Sequence, residues 1–225
     1  MTPQTAYTPP LGFSVLTPFY DRAIASLTRE RLWRARLARQ LSAKPGEVIL
    51  DVGAGTGSLA LLVTAGEPRC TYRGIDPDKT AVEIATRKAR RAGSRAKFKS
   101  GLLDDEPADP DERADKIVCS LVLHQVSLAE KRRLLKSMLA WMKPGGQLFL
   151  ADYGEQRGLM RIAFRLTVQL VDGIADTQPN ANGVLPLLMA EAGFKKVIVL
   201  DAFRTPTGQI DIMRAISPPT SCTEQ

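Results

Sequence analysis

From Tyr20 to Tyr153, short apolar runs alternate with longer stretches in which apolar residues recur every three to four positions. The short runs predict strands at Val48–Val52, Thr71–Ile75, Ala96–Ser100, Lys116–Leu121 and Gln147–Tyr153. The periodic stretches predict helices at Tyr20–Leu41, Leu59–Ala65, Lys79–Ala92 and Leu128–Trp141. Ser127 precedes the last of these as an N-cap, and Lys143-Pro144-Gly145-Gly146 ends it and turns the chain into the next strand. Alternating strand and helix predicts a parallel sheet. Beyond Tyr153 the order changes: helices at Gly158–Gly173 and Ala181–Ala192 precede strands at Lys195–Ala202 and Gln209–Ala215. The link between those strands is short and contains Pro206 and Gly208, which predicts an antiparallel hairpin.

The punctuation between the first strand and its helix carries the chemistry. Glu47–Leu59 reads EVILDVGAGTGSL: an apolar strand ending at Asp51, a turn with Gly53, Gly55 and Gly57, then an apolar helix. Open α/β sheets bind ligands at such strand-to-helix turns, and glycine lets the backbone approach the ligand closely. Two ligand types compete, a dinucleotide and a nucleoside joined to an amino acid. A dinucleotide fingerprint wants Gly or Ala in the third slot after Gly53, where Ser58 stands. An acid two residues before the first glycine would repel a pyrophosphate, whereas it suits an ammonium and a sulfonium. A second strand ends in Gly74-Ile75-Asp76-Pro77, and Asp76, 25 residues after Asp51, is placed to accept hydrogen bonds from ribose hydroxyls.

DVGAGTG followed by GIDPD resembles the class I S-adenosylmethionine-dependent methyltransferases. IVCSLVLHQV and LLKSMLAWMKPGGQLFLADYG resemble later motifs of that superfamily, and the likeness extends over roughly 19–216. Within the superfamily it resembles the ubiquinone/menaquinone C-methyltransferase type. The resemblance implies a Rossmann-like, seven-stranded, mostly parallel sheet with helices on both faces and an antiparallel C-terminal hairpin. It implies S-adenosyl-L-methionine as cofactor, held by Tyr20, Asp51, Gly53, Ala54, Gly55, Thr56, Gly57, Asp76, Pro77, Leu102, Leu103, Asp104, Ser120 and Leu121. Tyr20, in Pro18-Phe19-Tyr20-Asp21, resembles a tyrosine that closes over the methionine moiety; a helix-cap role for Asp21 stands beside it. The acceptor expected is a small, partly hydrophobic molecule. A lipid or quinone at a membrane surface, and a non-catalytic cofactor-binding module, are the alternatives.

Catalytic candidates are few. His124 is the sole histidine and follows the fourth strand, whose end opens onto the cofactor methyl, so it is a candidate base with a pocket-lining role as its rival. Tyr20 and Tyr153 are further candidates, with Asp152 beside the latter. The segment 154–180 departs from simple alternation and reads either as a substrate cap or as a core helix. Leu159, Ile162, Ala163, Leu166 and Leu170 recur at helical spacing there, with Arg157, Arg161 and Arg165 on a parallel row suited to an acidic group or a lipid surface.

Composition narrows the setting. The 225 residues suit one domain at 19–216, preceded by a proline-rich arm at 1–18 and followed by a tail at 217–225. No apolar run approaches the roughly 20 residues that span a bilayer, and the first residues carry neither a basic nor an apolar leader segment, so a cytoplasmic protein is expected. Cys70, Cys119 and Cys222 are widely spaced, without a metal-site pattern, and no metal is expected. The net charge of +7 raises the question of nucleic acid. The densest basic run, from Arg87 to Lys99, holds only Phe98 for base stacking, so nucleic acid is disfavoured as a partner and any membrane contact is expected to be peripheral. Oligomeric state is left open.

Overall fold

The computed structural model describes residues 28–105 and 108–219. Its centre is strand β1 (Val48–Val52), an apolar run buried on both faces, as the strands of a helix-covered parallel sheet are. Around it lie β2 (Thr71–Asp76), β3 (Lys97–Ser100), β4 (Ala114–Ser120), β5 (Met142–Tyr153), β6 (Lys195–Thr205) and β7 (Gly208–Ile216). The sheet order is β3-β2-β1-β4-β5-β7-β6. β1 pairs in parallel with β2 and with β4, and β5 extends the parallel set beyond β4. β7 is antiparallel to both β5 and β6, so the final hairpin inserts its second strand next to the parallel portion.

This order has a functional consequence. The chain runs outward from β1 through β2 to β3, then crosses back to β4 on the other side. The crevice at the carboxyl ends of β1 and β4 is therefore a topological switch point, where open α/β sheets bind ligands. Register brings the three strand ends level, with Val52 opposite both Ile75 and Cys119.

Helices α1 (Glu30–Leu41), α2 (Ser58–Gly66), α3 (Lys79–Arg91) and α4 (Leu128–Ala140) cover the faces, followed by α5 (Gly158–Leu166), α6 (Val168–Asp172), α7 (Ile174–Ala181) and α8 (Leu185–Glu191). One face of the sheet buries Leu134, Leu135 and Met138 of α4 with Leu185, Leu188 and Met189 of α8. The other buries Trp33, Leu37 and Leu41 of α1, Leu59 and Val63 of α2, and Phe164 and Val168. The Ser127 cap expected from sequence is formed, its hydroxyl accepting from Glu130 N at 3.3 Å; α3 is capped by Asp78, whose carboxylate accepts from Thr80 N at 2.8 Å.

Several boundaries differ from the sequence reading. Of the helix expected at Tyr20–Leu41, the part before Thr28 lies outside the described residues, and the described helix starts at Glu30. β5 begins at Met142, so Lys143–Gly146 is strand rather than turn, held by the Lys143–Asp115 ion pair at 2.8 Å. The helix expected at Gly158–Gly173 is two helices broken at Thr167, whose hydroxyl turns back to Ala163 O at 2.6 Å while its backbone leaves helical geometry (φ −120°, ψ −77°). The helix expected at Ala181–Ala192 is α8 alone; α7 ends at Ala181, and Gly183 (φ +76°) reverses the chain between them. The 154–180 segment is thus three short helices.

Candidate active site

The glycine turn wraps the end of β1. Gly53 N and Ala54 N both donate to Ile75 O, at 2.9 and 3.1 Å, which pins the loop to the end of β2. Gly53 is left-handed (φ +74°), and a Cβ there would stand 2.2 Å from a Val122 methyl, so both backbone and space demand glycine. Gly55 is also left-handed (φ +52°) but faces open space, with nothing within 4 Å of where a Cβ would stand: this part of the loop forms the floor of an open cradle. The Thr56 hydroxyl accepts from Lys88 Nζ at 2.9 Å, tying the loop to α3, and Gly57 packs against Ala85 and Phe98.

Asp76 closes the side of the cradle. Its carboxylate accepts from Gly55 N at 2.7 Å and Asp78 N at 2.9 Å, one bond per oxygen, leaving acceptor capacity on each. Burial raises its pKa, and the two backbone donors oppose the rise. Pro77 follows at once, half-buried between Asp76 and the α3 cap. On the third side Leu103 is buried and its carbonyl accepts from the Trp141 indole at 3.2 Å, while Leu102 is exposed. Asp104 is paired with Arg133. From β4, Ser120 is buried and Leu121 takes a left-handed conformation (φ +56°) with its N–H on Ala151 O at 2.9 Å. Tyr20 lies outside the described residues.

Asp51 differs from its expected place as an open anionic wall. It is buried beneath the loop, its Oδ2 accepting from the Tyr72 hydroxyl at 2.7 Å and its Oδ1 without a hydrogen-bond partner. Desolvation pushes its pKa up to about 6, against the Tyr72 bond and the Arg34 charge, which lower it. An acid whose native pKa exceeds its unfolded one holds a proton in the fold that the unfolded chain has released, so its contribution declines as pH rises from about 4 to about 6. Accordingly, Asp51→Asn is expected to gain stability relative to wild type across that window, on the order of 2–3 kcal/mol. Chemical denaturation at pH 4 and pH 7 measures this; a gap that does not grow with pH contradicts it.

Beyond β4, a 3₁₀ turn (Leu123–Gln125) presents His124, almost fully buried. Its Nδ1 lies 2.8 Å from Asp152 Oδ1. Asp152 is buried and further accepts from Leu123 N at 2.8 Å and Tyr153 N at 2.7 Å, so its position is fixed by backbone. With Nδ1–H donating to Asp152, a neutral imidazole has its lone pair on Nε2. Asp172, at the end of α6, stands with Oδ2 3.7 Å from Nε2, and burial raises its pKa. Sequence reasoning missed Asp172, because an acid before Gly173 reads as an ordinary helix end. It also missed Lys131, which sits in a charged helical stretch yet is fully buried, donating to Val126 O and, at 2.7 Å, to Asp176 O. Burial lowers its pKa to about 8. Lys131 thereby joins the His124 turn to α7.

The Tyr153 ring is edge-on to His124 at 4.9 Å and tilted against Phe164 at 5.0 Å, while its hydroxyl is bonded to Thr207 Oγ1 at 2.8 Å. Phe164 is thus core. Phe164→Ala is expected to cost about 3–5 kcal/mol, whereas Leu166→Ser, 70% exposed, should stay within about 0.5 kcal/mol. Thermal denaturation separates them, and equal losses would contradict this packing. A separate polar cleft, between Lys44, Lys116, Lys143 and Arg214, lies by the amino ends of β4 and β5, away from the switch point.

Comparisons with known proteins agree with this geometry. Residues 49–146 match the family described as "Methyltransferase domain". A ubiquinone/menaquinone biosynthesis C-methyltransferase from Geotalea daltonii is 28% identical over 150 residues, 64% of this chain and 63% of that protein. A ribosomal protein L11 methyltransferase from Burkholderia mallei is 39% identical over 110 residues, 48% of this chain and 32% of that protein. The chain therefore spans less than two thirds of the length of these curated relatives. An S-adenosylmethionine-dependent methyltransferase structure from Methanosarcina mazei superposes with a TM-score of 0.61 at 21% identity, over 79% of this chain and 95% of that one. The fold is that of the class I methyltransferases, and the chain resembles the ubiquinone/menaquinone type. S-adenosyl-L-methionine is the cofactor this site takes: the open floor at Gly55 and the spare acceptors of Asp76 suit its amino-acid end and its ribose.

Proposed function

We propose that this chain, whose residues 49–146 carry a methyltransferase domain, transfers a methyl group from S-adenosylmethionine to a small, partly hydrophobic ring compound bearing an ionisable hydroxyl. The observation that carries the reading is the buried Asp152–His124 pair next to the cofactor crevice, with Nε2 left as the basic nitrogen. The name of the Geotalea relative supports a quinone-related acceptor.

When bound, S-adenosylmethionine supplies a methyl carbon already activated by its sulfonium, so that the acceptor displaces it in line. The chain's residues then have two tasks, alignment and proton removal. Asp76 takes the ribose hydroxyls and Gly53–Gly57 supports the amino-acid end, which fixes where the methyl points. His124 Nε2 receives the acceptor's hydroxyl proton as attack begins, and Asp152 stabilises the resulting imidazolium. Asp172 Oδ2, 3.7 Å from Nε2, stands where the acceptor hydroxyl must arrive. Phe164 and Tyr153 back this wall with apolar rings, keeping water from the histidine. The free, buried thiols of Cys70 and Cys119 support a reducing, cytoplasmic setting.

Transfer of labelled methyl to demethylated quinol precursors with short side chains tests the reading. The expected result is label in the ring compound. The Burkholderia match is confined to about half of the chain, so a protein acceptor is the contrary outcome: label in ribosomal protein with none in any ring compound would overturn the proposal.

A further inference from the structure

The outer side of the 154–180 segment is unlike the rest of the surface. Of the twelve exposed large apolar side chains among the described residues, six fall in this short stretch: Leu159, Ile162, Leu166, Leu170, Val171 and Ile174. Leu159 and Leu170 are 78% and 80% exposed. On α5, Leu159, Ile162 and Leu166 form one row at i, i+3 and i+7, and the exposed Arg157, Arg161 and Arg165 form another at i, i+4 and i+8. The rows lie about a third of a turn apart, the leucine row opposite buried Phe164 and the arginine row between the two on one side. Isolated exposed leucines need no explanation, but a continuous group on consecutive elements marks an interaction surface.

The charges identify the occupant. Arg157 is paired with Glu155 and Arg161 donates to Asn182 Oδ1 at 3.1 Å, so both guanidiniums are held at the surface. Of the three acids of the stretch, Asp172 is turned inward to His124, Glu155 is taken up by Arg157 and Asp176 is half-buried, which leaves Arg161 and Arg165 as the outward charges on a chain of net charge +7. A second copy is a poor fit, since a two-fold contact across this face would bring an arginine row towards its own counterpart. An apolar row flanked by arginines is the pattern of a helix lying in a lipid interface.

We propose that the ridge formed by α5, α6 and the start of α7 docks on an anionic lipid surface, its leucines entering the headgroup boundary and its arginines meeting lipid phosphates. No helix among the described residues is long and apolar enough to cross a membrane, so this contact is peripheral. The docking does not depend on methyl transfer. Together with the acceptor proposed for His124, it also sets the acceptor site against the bilayer, because α6 carries Asp172 on its inner side.

Co-sedimentation with phosphatidylcholine vesicles, with and without phosphatidylglycerol, tests this on the full chain. Wild type should sediment with the anionic vesicles and be released by salt. Leu159→Ser with Leu170→Ser, and separately Arg161→Glu with Arg165→Glu, should each weaken binding roughly tenfold or more. All four side chains are exposed, so circular dichroism and S-adenosylhomocysteine affinity should match wild type in both variants. Wild type left in the supernatant, or full binding by the leucine variant, would overturn the proposal. So would light scattering that shows a dimer split by the leucine variant without vesicle binding. Vesicle binding by a protein that fails to bind S-adenosylhomocysteine would leave docking intact and remove the methyltransferase reading instead.

Discussion

Replacing His124 by asparagine is expected to lower turnover by roughly 10²–10⁴, the contribution of a positioned base. Cofactor affinity should stay nearly unchanged, because His124 lies beyond β4 while the ribose and amino-acid contacts lie at β1 and β2. The residual rate should climb with pH as the acceptor ionises unaided. Asp152→Asn should lower turnover by a smaller factor: an amide at that position can offer its NH₂ to Nδ1, which favours the tautomer that lacks a lone pair on Nε2. Turnover against pH for the three proteins is the measurement. A His124→Asn variant with wild-type turnover at neutral pH would reduce the histidine to a pocket wall, leaving proximity as the sole source of rate.

The second large effect belongs to Asp76. In the proposed site Asp76→Ala removes the acceptor of the cofactor's two ribose hydroxyls, and it also releases Gly55 N and Asp78 N from their acceptor. Losing this charge-assisted bidentate contact should cost roughly 1.5–3 kcal/mol, so S-adenosylhomocysteine affinity should fall about tenfold to about 150-fold. Asp76→Asn keeps an acceptor for one backbone donor and should fall between the two. Calorimetric titration distinguishes them. Unchanged affinity in the alanine variant would mean that the ribose lies elsewhere.

The glycine turn and the acids at the strand ends were legible in the sequence because their information is local. A buried central strand must be a continuous apolar run, a tight loop on its end must use glycine, and the acid at the next strand end follows at a fixed distance. Asp51, Gly53 and Asp76 could thus be named from spacing alone, and the seven strands could be placed to within a few residues. What Asp51 touches was not legible. Its partner Tyr72 sits on the neighbouring strand, and only the parallel register that sets Ile49 opposite Tyr72 brings the hydroxyl to the carboxylate.

The acceptor half was less legible for the same kind of reason. The apolar period of 158–173 continues across Thr167, so nothing in the pattern announces the break that turns α6 and carries Asp172 inward. That period also reads as a buried face, yet Leu159, Leu166 and Leu170 are exposed while Phe164 alone of α5 is buried. Lys131 is a further case: in LAEKRRLLK it reads as one of several solvated charges, and the packing of α7 adds Asp176 O to the Val126 carbonyl of the preceding turn as its acceptors.

The ligand of the switch-point crevice underlies the roles of Asp76, the glycine turn and His124 alike. The most direct measurement is calorimetric titration of the wild-type protein with S-adenosylhomocysteine and, separately, with NAD. Saturable one-to-one binding of S-adenosylhomocysteine is predicted, with no measurable heat from NAD, since Ser58 fills the slot where a dinucleotide loop needs Gly or Ala. Preferential binding of NAD, or binding of neither, would contradict it.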